Sequence, residues 1–360
     1  MNLENLVNEK THAEVSEQVK DLLQNKVILI TGAAGSIGSE ISKILAQQCN
    51  CKLILLDQAE SALFNLQQEL QYLNLNNYNL ILGDICNLER MKQMFSEYAP
   101  DIIYHAAAYK HVPLMEDHPF EAVKVNILGT KIIADLAKQF DVQSFVLVST
   151  DKAVNPAGVM GASKRIAELY VSRLNGELNK KFKIVRFGNV PNSNGSVMPL
   201  FKEQIKKGGP LTITDKDATR YFIEMSSACQ LLLEAMLTDD CDLLIGHMGI
   251  AVNIYDLGLK FINVAGLKHP EDIEIELIGL RPGEKLHEEL NYKEELLIAE
   301  SSSKIKKYNS MLIHNNIRLI EQLCNIKAIT PAVEIVKKIK EIVPEFISNN
   351  SKYQMLDSEN

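Results

Sequence analysis

Thr150-Asp151-Lys152 sets a hydroxyl, a carboxylate and an amine on consecutive residues, directly after the apolar run Ser144-Phe-Val-Leu-Val-Ser149. A carboxylate beside an amine becomes an acid/base pair once burial and mutual charge set their proton affinities. The same residues also make an ordinary surface turn after a strand, so the pair needs a setting. Lys164 supplies one: it lies one helical turn past Met160, where its ammonium can reach a ligand held against that turn. Met160 itself brings no proton chemistry, because a thioether neither takes nor gives a proton. To serve as a base Lys152 must be neutral, which requires desolvation or a neighbouring cation.

A second constellation opens the chain's first crossover. Thr31-Gly32-Ala-Ala-Gly35-Ser36-Ile37-Gly38 follows the apolar run Lys26-Val-Ile-Leu-Ile-Thr31 and leads into a helical stretch. Glycines there let the backbone turn tightly and approach a pyrophosphate, which the helix N-terminus attracts. Asp57 ends the next run about twenty residues on, where an acid holds ribose hydroxyls. A carboxylate there repels a 2′-phosphate, and no Arg follows it closely, so NAD is expected rather than NADP. Asp84 and Ile85, after the third run, are placed to meet an adenine. Ala106-Ala107-Ala108 is small enough for a cofactor to lie close, and Asn126 offers a polar contact from mid-helix. Each has a plainer alternative: Asp84 as a turn cap, the alanines as close packing.

Elements in alternation position these residues. Apolar runs at 26–31, 52–56, 79–83, 101–105, 144–149 and 183–187 are separated by stretches of helical period. Runs of this kind suit strands buried on both faces, so the expected fold is α/β, a doubly wound parallel sheet with ligands at its carboxyl edge. Ile37, Ile41, Ile44 and Leu45 form one face of the first crossover helix; Pro119 opens a long helix toward Phe140, and another runs from Met160 to about Leu174. From Asn189 onward Gly, Pro and Ser cluster, which suits a smaller lobe whose loops close over a ligand. The expected division is an accessory segment 1–24, a dinucleotide-binding domain 25–189, a substrate-binding lobe 190–345 with part returning to the sheet, and a flexible tail 346–360. A last amphipathic helix spans 333–342, stopped before Pro344.

Bulk properties exclude several classes. With 46% hydrophobic residues the 360-residue chain fills a real core, and a net charge of −8 gives no broad basic face for nucleic acid. Cys49, Cys51, Cys86, Cys229, Cys241 and Cys324 show no paired spacing and no His partner motif, so reduced thiols and no metal are expected. No apolar window reaches the roughly 18 residues of a membrane helix, and the N-terminus lacks a leader-like apolar stretch, which implies a cytoplasmic setting.

Seven segments together carry a resemblance: His105 to Glu116, Ser149 to Pro156, Met160 to Arg165, Arg186-Phe-Gly-Asn-Val190, Gly195 to Phe201, Thr219-Arg-Tyr-Phe222 and Gly279-Leu-Arg-Pro-Gly-Glu-Lys285. From about Lys26 to Leu290 the chain closely resembles the UDP-N-acetylglucosamine 4,6-dehydratases, extended short-chain dehydrogenases/reductases with a Rossmann domain that serve bacterial glycan synthesis. It resembles in particular the configuration-retaining branch, where Met replaces the usual catalytic Tyr. The resemblance implies that NAD takes a hydride from sugar C4 and returns it to C6. It implies that Lys152 removes the C5 proton, Asp151 protonates the departing C6 hydroxyl, Thr150 binds the C4 hydroxyl and Lys164 lends electrostatic support. It places Asn189, Ser196, Val197 and Pro199 along UDP, Arg220 and Arg281 on the pyrophosphate, and Lys110, His111 and Glu284 at the substrate; either arginine could instead pair with Glu284 or another acid. Pro191-Asn192 departs from the Leu-Gly pair of the family and touches sugar specificity. Many relatives carry membrane helices ahead of this domain, where residues 1–24 are polar, so a free-standing form is expected. A homodimer through the helices after the fourth and fifth strands is implied as well. The competing functions are a C5-inverting dehydratase or a 4-epimerase, which usually want Tyr at position 160, and a silent NAD-binding protein.

Overall fold

β-branched strands buried on both faces need helices above and below, and the chain supplies them in alternation. A computed structural model describes residues 13–178, 181–238, 241–300, 305–309 and 317–359. After helix α1 (Glu17–Leu23) come β1 (Val27–Thr31), α2 (Ser36–Gln48), β2 (Lys52–Asp57), α3 (Glu60–Tyr72), β3 (Tyr78–Leu82), α4 (Leu88–Tyr98) and β4 (Ile102–His105). Next are α5 (Val112–Asp117), α6 (Pro119–Ala122), a π-helical stretch Val123–Gly129, α7 (Thr130–Gln139), β5 (Ser144–Thr150), α8 (Val159–Leu178) and β6 (Lys181–Phe187). All six expected strands form, parallel, in the order β3-β2-β1-β4-β5-β6. The order reverses between β1 and β4, which opens a crevice at their carboxyl ends. Register fixes that edge: Thr31 pairs with His105, and His105 with Leu147, so β5 runs on to Thr150 beyond its neighbour.

The later chain adds α9 (Val197–Lys206), β7 (Leu211–Ile213), β8 (Thr219–Arg220), α10 (Met225–Glu234), β9 (Leu243–Gly246), β10 (Val252–Asn253), α11 (Ile254–Val264), β11 (Ile275–Leu277), β12 (Leu296–Glu300), β13 (Ile305–Asn309), α12 (Ile317–Cys324) and α13 (Ala332–Ile342). β9 extends the sheet parallel to β6, and β13 and β12 complete it antiparallel. Apart from this sheet, Met198, Phe201, Leu211, Leu257 and Ile275 join a second, smaller core.

Three expectations change. Residues 13–24 are not accessory: Ala13, Val15, Val19 and Leu23 are buried in the main core, and Gln48 bonds Val15 N and Ala13 O, both at 2.9 Å. Nor does a loose tail begin at 346, because Phe346, Tyr353 and Leu356 bury their apolar bodies and Tyr353 donates to Glu116 O at 3.1 Å. Asn and Ser dominate that stretch in sequence and hide these three anchors. Finally, α8 is buried along Val159–Ser172, with α13 packed on it and α12 on the π-helical stretch, so the face expected for a dimer is covered by the chain's own C-terminal helices. Among the described residues no helix is long and apolar enough to cross a membrane.

Candidate active site

A cleft of about 230 Å3 opens at the β1/β4 switch point, lined by Gly32, Gly35, Asp57, Ile85 and Ala106–Ala108, with Leu56, Gln58 and Tyr109. Two glycines are there of necessity. Gly32 has φ +66°, and a Cβ on it would lie 2.7 Å from Ala107 Cα; one on Gly38 would lie 2.1 Å from Gly32 O. Asp57 accepts from Ala34 N and Ala59 N, both at 2.9 Å, which fixes its carboxylate at the cleft wall. Beneath the turn, His105 bonds Thr31 Oγ1 at 2.7 Å and Thr130 Oγ1 at 2.9 Å; burial, with the nearby Lys164 charge, pushes its pKa down to about 3 and keeps it neutral.

Other residues expected at the cofactor also brace the frame around it. Asn126 is fully buried and its amide is taken up by Tyr109 N, Tyr109 O and Ser163 Oγ, bracing the loop that carries Tyr109 rather than meeting the cleft. Asp84 caps Cys86 N at 2.8 Å, Ile37 packs against the core, and Ser36 Oγ accepts from Asn194 N at 3.1 Å, joining the glycine turn to the loop of the smaller lobe. Lys164 donates to Val148 O at 2.8 Å, and burial pulls its pKa down to about 8 despite Glu168 nearby.

Thr150-Asp151-Lys152 forms a tight turn on the end of β5. Thr150 Oγ1 donates to Asp151 Oδ1 at 2.9 Å, and Lys152 Nζ donates to Asp151 Oδ1 at 2.9 Å and Asn189 Oδ1 at 3.1 Å. The start of α8 presses on this turn: a Cβ on Gly161 would lie 2.2 Å from Lys152 O. Lys152 departs from the expectation for a base. Burial lowers its proton affinity, but Asp151 and Glu288 outweigh burial and hold the ammonium above its ordinary range. Asp151 Oδ2 is buried with no partner, and Met160 packs in the core, 3% exposed. A cavity of about 40 Å3 is lined by Lys152, Arg220, Glu284 and Glu288. Glu288, absent from the sequence reading, stands three residues beyond the Gly279–Lys285 motif, where extending that motif would have reached it.

On the substrate side, Asn189 serves Lys152, while Ser196 stands at the N-cap position of α9 with its Oγ buried and unpartnered, just ahead of Val197 and Pro199. The His111 ring packs on Gly195, whose Cβ would meet it at 2.5 Å, and Lys110 precedes it at the surface. Arg220 donates to Thr219 O and Leu286 O; Arg281 pairs with Glu284 Oε1 at 2.5 Å, with its side chain 54% exposed. The six cysteines are unpaired, and burial raises their thiols. Among the described residues no three His, Cys, Asp or Glu side chains gather as a metal site.

A glycine turn at the switch point of a doubly wound sheet, with an acid ending β2 and a Thr-Asp-Lys turn ending β5, defines a Rossmann-type protein of the short-chain dehydrogenase/reductase class. Within that class the chain belongs to the polysaccharide biosynthesis protein family, whose model matches residues 28–310. It is 48% identical over 278 residues to the capsular polysaccharide biosynthesis protein CapD of Staphylococcus aureus, covering 76% of this chain and 46% of CapD, so it spans about half that relative's length. Over 275 residues it is 34% identical to a UDP-N-acetylglucosamine 4,6-dehydratase (inverting) of Campylobacter jejuni, covering 74% of this chain and 78% of the relative. The solved structure of Pen from Bacillus thuringiensis superposes with TM-score 0.74 at 33% identity, covering 81% of this chain and 91% of Pen. The fold also matches a dTDP-glucose 4,6-dehydratase from Bacillus anthracis in complex with NAD, with TM-score 0.61 at 20% identity over 71% of this chain and 86% of that one.

Proposed function

We propose that the chain is an NAD-dependent 4,6-dehydratase of UDP-N-acetylglucosamine that retains configuration at C5. The observation that carries this is the Thr150-Asp151-Lys152 turn, with its ammonium pinned by Asp151 and Asn189 while Met160 sits in the core without a proton to offer. The cleft fits a dinucleotide: its glycines admit a pyrophosphate, and Asp57 favours NAD over NADP. The chemistry that bound NAD supplies is reversible hydride acceptance, from C4 and back at C6, with zero net redox.

The chain's own groups divide the proton work. Thr150 Oγ1 holds the C4 hydroxyl. The ammonium of Lys152 and the unpartnered Oδ2 of Asp151 support the reverse of the division that the family resemblance implies. As C4 becomes a ketone its hydroxyl proton passes to solvent; Asp151 takes the C5 proton as that C–H bond breaks, and Lys152 gives a proton to the C6 oxygen as it leaves as water. As C6 receives the hydride, Asp151 returns a solvent-exchanged proton to C5, and solvent reprotonates Lys152. Asn189, Ser196, Val197 and Pro199 flank UDP, while Arg220 and Arg281 meet its phosphates once Arg281 exchanges Glu284 for them. A homodimer fits this reading only through a face other than the buried α8.

The relative named as inverting favours a second reading, inversion at C5. One experiment separates them: the protein is incubated with UDP-N-acetylglucosamine in deuterated water, and the product is examined by mass spectrometry and NMR. Loss of water with one deuterium at C5 and retained configuration supports the proposal. Inverted C5 supports the second reading, and unchanged substrate sinks both.

A further inference from the structure

Glu288 has the marks of a working group rather than a structural one. Its side chain is 3% exposed, yet Oε2 has no hydrogen-bond partner, and Oε1 stands 3.6 Å from Lys152 Nζ and 3.9 Å from Arg220 Nε. A carboxylate kept for stability alone would spend both oxygens on hydrogen bonds, because an unpartnered buried acceptor is costly. Glu288 instead lines the cavity that Lys152 and Arg220 share.

The groups facing Lys152 come from four places: Asp151 on its own turn, Asn189 after β6, Arg220 on β8 and Glu288 beyond the Gly279–Lys285 loop. Asp151 is shared, since Oδ1 also accepts from Thr150. Asn189 is neutral, and Arg220 repels a second cation. Lys285, on the same cavity, is turned away to Val154 O and Glu289. Glu288 is therefore the second anion facing Lys152, an ion-pair partner of Lys152 and Arg220 alike whose Oε2 has no hydrogen-bond partner.

We propose that Glu288 is a positioning residue of the active site: its carboxylate holds Lys152 as an ammonium against the repulsion of Arg220, so that Lys152 enters the reaction carrying a proton. This rests on the proposed dehydration for its catalytic consequence, but not for its physical content. Burial, which alone pulls Lys152 down, is opposed by Asp151 and Glu288 together, in keeping with this role.

The test is a titration of the full chain labelled with 13Cε-lysine, in which the Lys152 signal is assigned by its loss in Lys152→Arg. In Glu288→Gln, which keeps the shape and removes the charge, Lys152 titrates at least about one unit lower. Arg220→Gln moves it the opposite way, a sign reversal that general loosening of the site would not give. Glu288→Asp restores most of the wild-type value. Where dehydration is observed, the alkaline limb of the kcat profile falls with the same shift in Glu288→Gln. A Lys152 titration unchanged between wild type and Glu288→Gln, or one that moves alike in Glu288→Gln and Arg220→Gln, overturns the inference whatever the activity. Absence of dehydration in the wild type counts against the proposed function and leaves the titration standing.

Discussion

Arg186→Met should be among the most damaging single changes outside the clefts, and the structure says why. The guanidinium is 1% exposed and bonds Glu168 at 2.7 and 3.0 Å and Glu295 at 2.8 and 3.0 Å. Removing it leaves two buried carboxylates with Arg165 as their remaining cation, 3.3 Å from Glu168 and 3.8 Å from Glu295. Stripping one partner from such a buried network costs about 3–5 kcal/mol. With an unfolding entropy of about 2.1 cal/mol/K per residue, 360 residues convert this to a Tm fall of about 4–7 °C. The pH dependence has a definite sign. Burial pushes Glu168 up, but Arg186, Arg165 and Ser149 outweigh it and hold its carboxyl below the ordinary value. Its contribution is therefore present above the ordinary carboxylate range and is lost as pH falls through the depressed folded value. In Arg186→Met that pull is gone and the orphaned acids protonate more readily, so the deficit should shrink between pH 7.5 and pH 5. Scanning calorimetry at both pH values measures this. A Tm fall below about 1 °C, or no recovery when Glu168→Gln and Glu295→Gln are added, would refute the reasoning. The active site should register the loss too, since Glu168 Oε1 anchors Ser149 Oγ at 2.6 Å, one residue before Thr150.

The remaining predictions concern single groups. Gly38→Ala drives a Cβ to 2.1 Å from Gly32 O, so the turn must open; isothermal titration should show NAD binding weakened at least about tenfold, with overpacking adding about 1–3 kcal/mol of instability. Lys152→Ala should lower the dehydration rate by about 10²–10⁴ with the NAD dissociation constant unchanged, and a parallel loss of NAD would contradict the separation of the two clefts. Glu116 accepts from Val159 N at 2.5 Å and Ser351 Oγ at 2.7 Å, and burial outweighs both to raise its carboxyl above the ordinary 4.5. Its stabilising contribution is full below that value and is lost as pH rises through the folded one, so the melting temperature of Glu116→Gln, whose side chain cannot ionise, should rise relative to wild type between pH 4.5 and pH 7.5.

What could be read from the sequence, and what could not, follows from the range of the interactions. Six strands were legible because each is a run of apolar residues whose burial on both faces leaves a local signature, and Gly32, Gly35 and Asp57 were legible because a backbone turn and the end of a strand are local events. Asn126 was misplaced because its partners, Tyr109 and Ser163, come from two other elements, and the π-helical stretch that holds it has no sequence period of its own. The docked C-terminal segment was hidden for the same reason: Tyr353 and Ser351 find Glu116 more than two hundred residues away. The charge state of Lys152 is the sharpest case. Spacing showed a carboxylate beside an amine and asked for desolvation to neutralise the amine. Folding brought Asn189 and Glu288 onto the same nitrogen, and a buried amine facing two carboxylates keeps its proton. With a sulfur at position 160 and a proton held on Lys152, the proposal assigns proton acceptance at this turn to Asp151, whose Oδ2, like Oε2 of Glu288, is buried with no hydrogen-bond partner.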